Sequence, residues 1–348
     1  MHRTSSLQAP HTVRTITQVL LDWYAHKARQ LPWRALPRTL QDPYIVWISE
    51  SMLQQTTVSK VIPYFTRFFI VFPTLSQLAE ASLDEVLTLW QGLGYYARAR
   101  HLHHTARLIQ EEHKGCFPRT AQSLQKLPGI GPYTAAAIAS MAFGEPVVAL
   151  DANVSRVVAR LFALSDQAFL LSHAQSLLSI EYPGDFNQAL MDIGAQYCQM
   201  RQVACVCCPL QAFCQARQSN APLSYPSHRK GTERRMRYAI FFCILGKDTL
   251  LLERRPEKGL LGGLYGLPTT PWTQTPQDSA PTIGPLGITQ WQFSHIVTHT
   301  FTHFRLQARV LYTYVSEQNP YAGFSWIPHT HLEKYALPTV FKKALRCG

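Results

Sequence analysis

The sequence predicts a multidomain chain, an all-α domain followed by an α+β domain, and three observations carry that prediction. Residues 11 to about 218 show apolar positions at helical spacing in one segment after another. The stretch 219–236 (SNAPLSYPSHRKGTERRM) is polar, basic and proline-containing, as a linker should be. Beyond it, short β-rich runs alternate with turn residues. A chain of 348 residues is long enough for two domains with separate cores, here expected at 1–218 and 237–348.

In the first part, PYIVWISESMLQQTTVSKVIPYFTRFF places Val46, Leu53, Ile62, Phe65 and Phe69 at roughly helical spacing. Pro43 suits a first helical turn, and Asp42 suits the cap before it. ASLDEVLTLWQ and ARARHLHHTARLIQEEH predict two more helices, divided by a Gly92-Leu93-Gly94 turn. DANVSRVVARLFAL and FNQALMDIGAQYC complete the helical part. After the linker, YAIFFCILG, TLLLERR, HTFTHFRLQARVLYTYV and GFSWIP predict strands.

Lysine and arginine outnumber the acids 33 to 21, for a formal charge of +12, which favours a polyanionic partner such as nucleic acid. A merely solvated basic surface is the plainer alternative. No segment has the ~18 to 20 unbroken apolar residues of a membrane helix. MHRTSSLQAPHTVR lacks the apolar core of a secretory signal, so a cytosolic location is expected.

Of eight cysteines, Cys198, Cys205, Cys207, Cys208 and Cys214 lie within 17 residues. In a cytosolic chain so tight a group argues for metal rather than disulfides. Cys198, Cys205, Cys208 and Cys214 can close around zinc or a 4Fe–4S cluster, and having one close pair rather than two favours iron–sulfur. Cys207 is expected to be a non-ligand, because adjacent side chains diverge.

LQKLPGIGPYTAAAIAS, residues 124–140, fails the dinucleotide pattern, since Thr134 replaces the third glycine, and it lacks the Gly-Lys-Ser/Thr of a P-loop. What remains is a helix, a turn and a second helix. Gly129 and Gly131 can take positive φ and admit another chain, and the free amides behind Pro132 can bind a phosphate. A bare helical turn is the alternative. Glu50, in the otherwise apolar WISESML, is either a buried carboxyl of raised pKa or a residue on the helix's polar face. Asp151 opens DANVSRVVARL as a helix cap, where the helix terminus also favours its ionised form. A carboxylic acid and a carboxylate are the pair that glycosidic cleavage uses, and Asn153 is available to bond either group or the sugar.

These features together resemble the helix-hairpin-helix DNA glycosylase superfamily with an iron–sulfur loop, and within it the adenine DNA glycosylases. The resemblance rests on LPWR (31–34), SESMLQQT (49–56), GLGYYARAR (92–100), LPGIGPYTA, LDANVSRV and the four-cysteine loop. It implies an all-α helix-hairpin-helix glycosylase domain holding a 4Fe–4S cluster, followed by an α+β MutT-like (Nudix-fold) domain. It also implies a monomer acting on double-stranded DNA, removing adenine opposite 8-oxoguanine or guanine, with no membrane role. Glu50 matches the acid that protonates adenine, and Asp151 the carboxylate that stabilises the oxocarbenium ion through a transient adduct. Tyr133 stands where lyase relatives carry a lysine, which implies base release without efficient strand cleavage. Gln55 and Tyr95 match residues that enter the base stack around the extruded adenine and its partner. Trp33 and Arg34 match the pocket wall, and Asp192 a glutamate that contacts adenine. In the C-terminal part, LLERRPEKGLLGGLYGLP is the hallmark, and without the acidic metal-binding sequence pyrophosphatase activity is not expected. Phe301, Thr302 and His303 match a Phe-Ser-His loop that reads 8-oxoguanine. An endonuclease III-like lyase, a non-catalytic iron–sulfur DNA-binding protein and a Nudix hydrolase are the competing readings.

Overall fold

A computed structural model describes residues 10–227, 234–277, 285–316 and 322–346. Cys347 and the linker core at 228–233 lie outside the described residues. The chain gathers into two compact units, 1–80 with 101–230 and 81–100 with 231–348. The stretch 81–100, which sequence alone keeps with the helical part, therefore falls with the second unit. No described helix is long and apolar enough to cross a membrane.

The first unit is helical, and four of its helices build the site. Pro43–Leu53 starts where the sequence says, with Asp42 Oδ1 accepting from the Tyr44 and Ile45 amides and proline in the first turn. Nearly all of it is buried, from Tyr44 and Val46 through Met52. It packs on Pro132–Phe143, whose run of alanines lets the two backbones approach, and which ends at Gly144 in the left-handed conformation. Ala152–Leu161 and Pro183–Gln196 complete the group. Pro183–Gln196 packs against both Ala152–Leu161 and Pro132–Phe143 through two glycines that no larger residue can replace. A Cβ on Gly184 would lie 2.9 Å from the Met141 Cα, and one on Gly194 would lie 2.6 Å from the Asn153 Cβ.

The second unit is a six-stranded mixed sheet: β1 (Arg235–Leu245), β2 (Thr249–Arg254), β3 (Tyr265–Gly266), β4 (Gln292–Thr300), β5 (Phe304–Tyr314) and β6 (Phe324–Pro328). The order is β3-β2-β1-β5-β4, with β6 also on β2; β1 and β5 run parallel and the other pairs antiparallel. One face buries Phe241, Leu306, Val310 and Phe341, the last from the helix Thr339–Ala344. The other buries Ile240, Phe242, Ile244, Leu251 and Leu311. The single strand predicted from HTFTHFRLQARVLYTYV is instead the end of β4, a turn at 301–303, and β5. Phe301 N–H donating to the Phe304 carbonyl closes that turn, and two stacked rings prevent the chain from staying extended.

The helix Leu83–Leu89, with a complete Ser82–Glu85 capping box, belongs to this unit through side chains that bond its backbone. Thr88 Oγ1 donates to the Lys334 carbonyl at 3.2 Å, and Gln91 Nε2 donates to those of Tyr335 and Leu337 at 3.1 and 3.0 Å. Arg100 Nη1 donates to the Gly262 carbonyl at 2.6 Å.

Candidate active site

Glu50 is buried, which decides between its two sequence readings. The residue retains 6% exposure, and its carboxylate accepts from the Tyr133 hydroxyl at 2.5 Å. Burial raises its pKa to about 7, against the Tyr133 bond, which pulls it down; Asp151 adds to the rise and Arg34 opposes it. Tyr133 is brought to Glu50 because Pro43–Leu53 packs on Pro132–Phe143, and Tyr133 is the second residue of the latter helix. Its own phenol is pushed well above the usual value by burial and the two nearby carboxyls, so it stays a neutral donor.

Asp151 caps the helix Ala152–Leu161: Oδ1 accepts from the Val154 amide at 2.6 Å, and Oδ2 from Asn153 Nδ2 at 2.9 Å. The cap and its proximity to Glu50 are therefore properties of one residue. Two effects act on the pKa of Asp151, burial and the bonds at the helix terminus. Burial raises it, and the bonds to Val154 and Asn153 reverse only part of that rise.

Asn153 continues inward. Its Oδ1 accepts from Arg156 Nη2 at 2.8 Å, and the same guanidinium donates to the Gly194 carbonyl at 2.8 Å and, through Nε, to the Cys198 carbonyl at 2.6 Å. One turn on, Arg160 is almost wholly buried and donates to Cys198 Sγ at 3.3 Å and to the carbonyls of Gln199 and Tyr225 at 2.7 and 2.9 Å. These two arginines fasten the cysteine loop to the helix that Asp151 caps. Sequence reasoning missed both, although arginines four apart in the buried run NVSRVVAR are a usable signal, since a buried cation requires acceptors.

Arg34 and Asp192 form a bidentate pair at 2.6 and 2.8 Å, with Asp192 fully buried. Arg29, also unforeseen, adds Nε at 2.5 Å and its backbone amide at 3.1 Å. Asp192 thus accepts four bonds from two arginines. Trp33 is buried with its ring edge-on to Phe65. Gln55 is exposed just past the Glu50 helix with φ 57.

The hairpin at 127–132 separates its two glycines. Gly129 has φ 76, and a Cβ there would stand 2.5 Å from the His101 Cβ, so it serves the fold. Gly131 does not take the expected positive φ. It has φ −82, caps Pro132–Phe143 without a side-chain bond, and faces open space. The open amides of that terminus are suited to an anion.

In the second unit, Tyr95, Phe301, Thr302 and His303 are gathered. Thr302 and His303 are exposed at the β4–β5 turn, Phe301 stacks on Phe304 at 4.7 Å, and the Tyr95 and Thr302 hydroxyls are 2.8 Å apart.

Cys198, Cys205, Cys208 and Cys214 are half-buried free thiols, whereas Cys207 is exposed. Among the described residues, no group of three or more His, Cys, Asp and Glu is placed to hold a metal ion. Burial pushes the Cys208 thiol up to about 12, and the charges of Cys198, Cys214 and Cys205 push in the same direction. Burial there disfavours bare thiolates, so four such cysteines on one loop suit a cationic centre that takes a thiolate from each.

A family profile described as HhH-GPD superfamily base excision DNA repair protein matches residues 48–174, and one described as NUDIX domain matches 239–347. The chain is 34% identical to the adenine DNA glycosylase of Homo sapiens, over 98% of this chain and 76% of that one. It is 36% identical to that of Buchnera aphidicola subsp. Baizongia pistaciae, over 74% of each. Among solved structures, a thermostable thymine-DNA glycosylase superposes with a TM-score of 0.54 at 28% identity, covering 61% of this chain and 100% of that one. An endonuclease III bound to DNA gives 0.51 at 22% identity, covering 61% and 98%, a likeness of fold. With a helical glycosylase region joined to a Nudix fold, and with relatives matched along most of its length, this chain belongs to the adenine DNA glycosylase family.

Proposed function

We propose that this enzyme hydrolyses the N-glycosidic bond of adenine paired with 8-oxoguanine or guanine in double-stranded DNA and leaves the strand uncut. The observation that carries the reading is Glu50, a buried carboxyl with a pKa raised to about 7, bonded by Tyr133 and near a second carboxyl on a helix cap. At neutral pH a substantial fraction of Glu50 is protonated and able to protonate the extruded adenine, which turns the base into a leaving group. Tyr133 holds one Glu50 oxygen, so the proton is directed from the other. Asp151, fixed by Val154 and Asn153, stabilises the positive charge that develops on the sugar or closes a transient bond to it.

Tyr133 also bears on what the enzyme leaves undone. A phenol has no amine with which to form a Schiff base with the sugar, so the strand is not cut by β-elimination through such an adduct. Asp192 holds Arg29 and Arg34 in place, and Arg34 with Trp33 lines the base pocket. Gly131 and the open helix terminus behind it receive a backbone phosphate. Cys198, Cys205, Cys208 and Cys214 would hold a 4Fe–4S cluster, which when bound braces the loop that Arg156 and Arg160 fasten. The turn Phe301-Thr302-His303 reads the base opposite adenine, and Gln55 and Tyr95 fill the stack.

Single-turnover adenine release from a duplex with adenine opposite 8-oxoguanine tests the assignment. Loss of release in Glu50→Gln is expected, and unchanged release would remove Glu50 as the acid. Borohydride trapping of an enzyme–DNA adduct would instead support a lyase.

A further inference from the structure

In the second unit, β1 (235–245) and the hairpin 292–314 contain four arginines and no aspartate or glutamate. Where the hairpin turns, three rings cluster: Phe301 stacks on Phe304 at 4.7 Å, and Trp272 lies 5.7 and 6.1 Å from them. Two guanidinium groups sit against this cluster. Arg237 is 4.8 Å from the Phe304 ring centre, and Arg255 is 5.5 Å from that of Trp272. Among the described residues neither has an ion-pair partner. Arg255 Nε is buried without an acceptor, and so is Trp272 Nε1. Burial lowers the pKa of Arg255, and Glu253 opposes this only from beyond ion-pair distance. Such a half-buried guanidinium has lost part of its hydration and gained no acceptor in return. The ring fixes its plane and leaves the terminal N–H groups for an oxyanion, which they match in pairs.

We propose that Arg237 and Arg255 bind backbone phosphates of the DNA strand that carries the base opposite adenine. Phe301 belongs both to the ring cluster and to the turn that reads this base, so the phosphates flanking the base pass beside the two arginines. Phosphate contacts carry no sequence information; they set the register in which the turn meets the base. The choice of strand rests on the proposed reading by that turn, whereas the phosphate site itself rests on the unpartnered arginines.

Equilibrium binding of the full enzyme to duplex DNA tests this, with the adenosine carrying a 2′-fluoro group so that its base is retained, opposite 8-oxoguanine or guanine. Each lost phosphate contact flattens the plot of log affinity against log salt by about 0.9. Arg237→Gln and Arg255→Gln are each expected to do so, which weakens binding about five- to ten-fold at ~0.1 M salt and equally on both duplexes. Lys247→Gln, just past the other end of β1, leaves the slope unchanged. Arg255→Lys keeps the charge and the slope, which separates loss of the contact from a folding defect. Replacing single phosphates around the 8-oxoguanine by neutral methylphosphonates locates the contact: at one position the replacement weakens the unaltered enzyme and leaves Arg255→Gln unaffected. An unchanged slope in either glutamine variant, or an equal change in Lys247→Gln, overturns the site while the proposed pairing stands. A responsive methylphosphonate in the adenine strand overturns the strand assignment. Equal affinity of the unaltered enzyme for both duplexes overturns the reading by the turn, and the choice of strand with it.

Discussion

Glu50→Gln should abolish adenine release and yet stabilise the protein, increasingly so as the pH rises. The unfolded carboxyl titrates near 4.5 and the buried one near 7. Below about pH 4.5 both states hold the proton, and the residue contributes fully to stability. Between those values the unfolded chain releases its proton first, so stability falls as pH rises, and above about 7 the loss is complete. A separation of about 2.5 pH units, at about 1.4 kcal/mol each, makes the full loss about 3 kcal/mol. Glutamine keeps the oxygen that accepts from Tyr133 and does not titrate, so the variant escapes this loss. Urea or thermal unfolding of both proteins at pH 5.5 and 8 is the assay. The advantage of Glu50→Gln should grow by about 2 kcal/mol between those conditions, a Tm difference of about 4–8 °C for a unit of this size. A stability difference independent of pH would refute the buried, raised-pKa carboxyl on which the proposed acid rests.

Four further outcomes follow from particular contacts. Adenine release in single turnover should fall about ten-fold per pH unit above pH ~7 as Glu50 loses its proton. Asp192→Ala leaves Arg34 buried without its carboxylate and should cost about 3–5 kcal/mol in urea unfolding, with loss of activity. Gly129→Ala, strained at φ 76 and colliding with His101, should cost about 1–3 kcal/mol, whereas Gly131→Ala should unfold like the parent but bind duplex DNA more weakly in a salt titration. Cys198→Ser should lose the broad visible absorption of an iron–sulfur protein, whereas Cys207→Ser keeps it.

The sequence alone determined what depends on neighbours along the chain. The Asp42-Pro43 helix start, the Asp151 cap and the change from helical to strand periodicity are local patterns, and each is present in the structure. The same locality left Glu50 divided between a polar face and a buried acid, because burial is set by the helix opposite. Packing of Pro132–Phe143 on Pro43–Leu53 brought Tyr133 to it. Arg29 at Asp192 spans 163 positions, and Tyr95 at Thr302 spans 207, separations across which no periodicity carries information. Gly129 and Gly131 look alike in LPGIG, and only the tertiary structure divided them, with His101 pressed against one and open space before the other. Segment 81–100 reads as one more helix and turn. Its bonds to the backbone at 262 and 334–337 joined it to the second unit, because hydrogen-bond partners are found in space rather than in order along the chain.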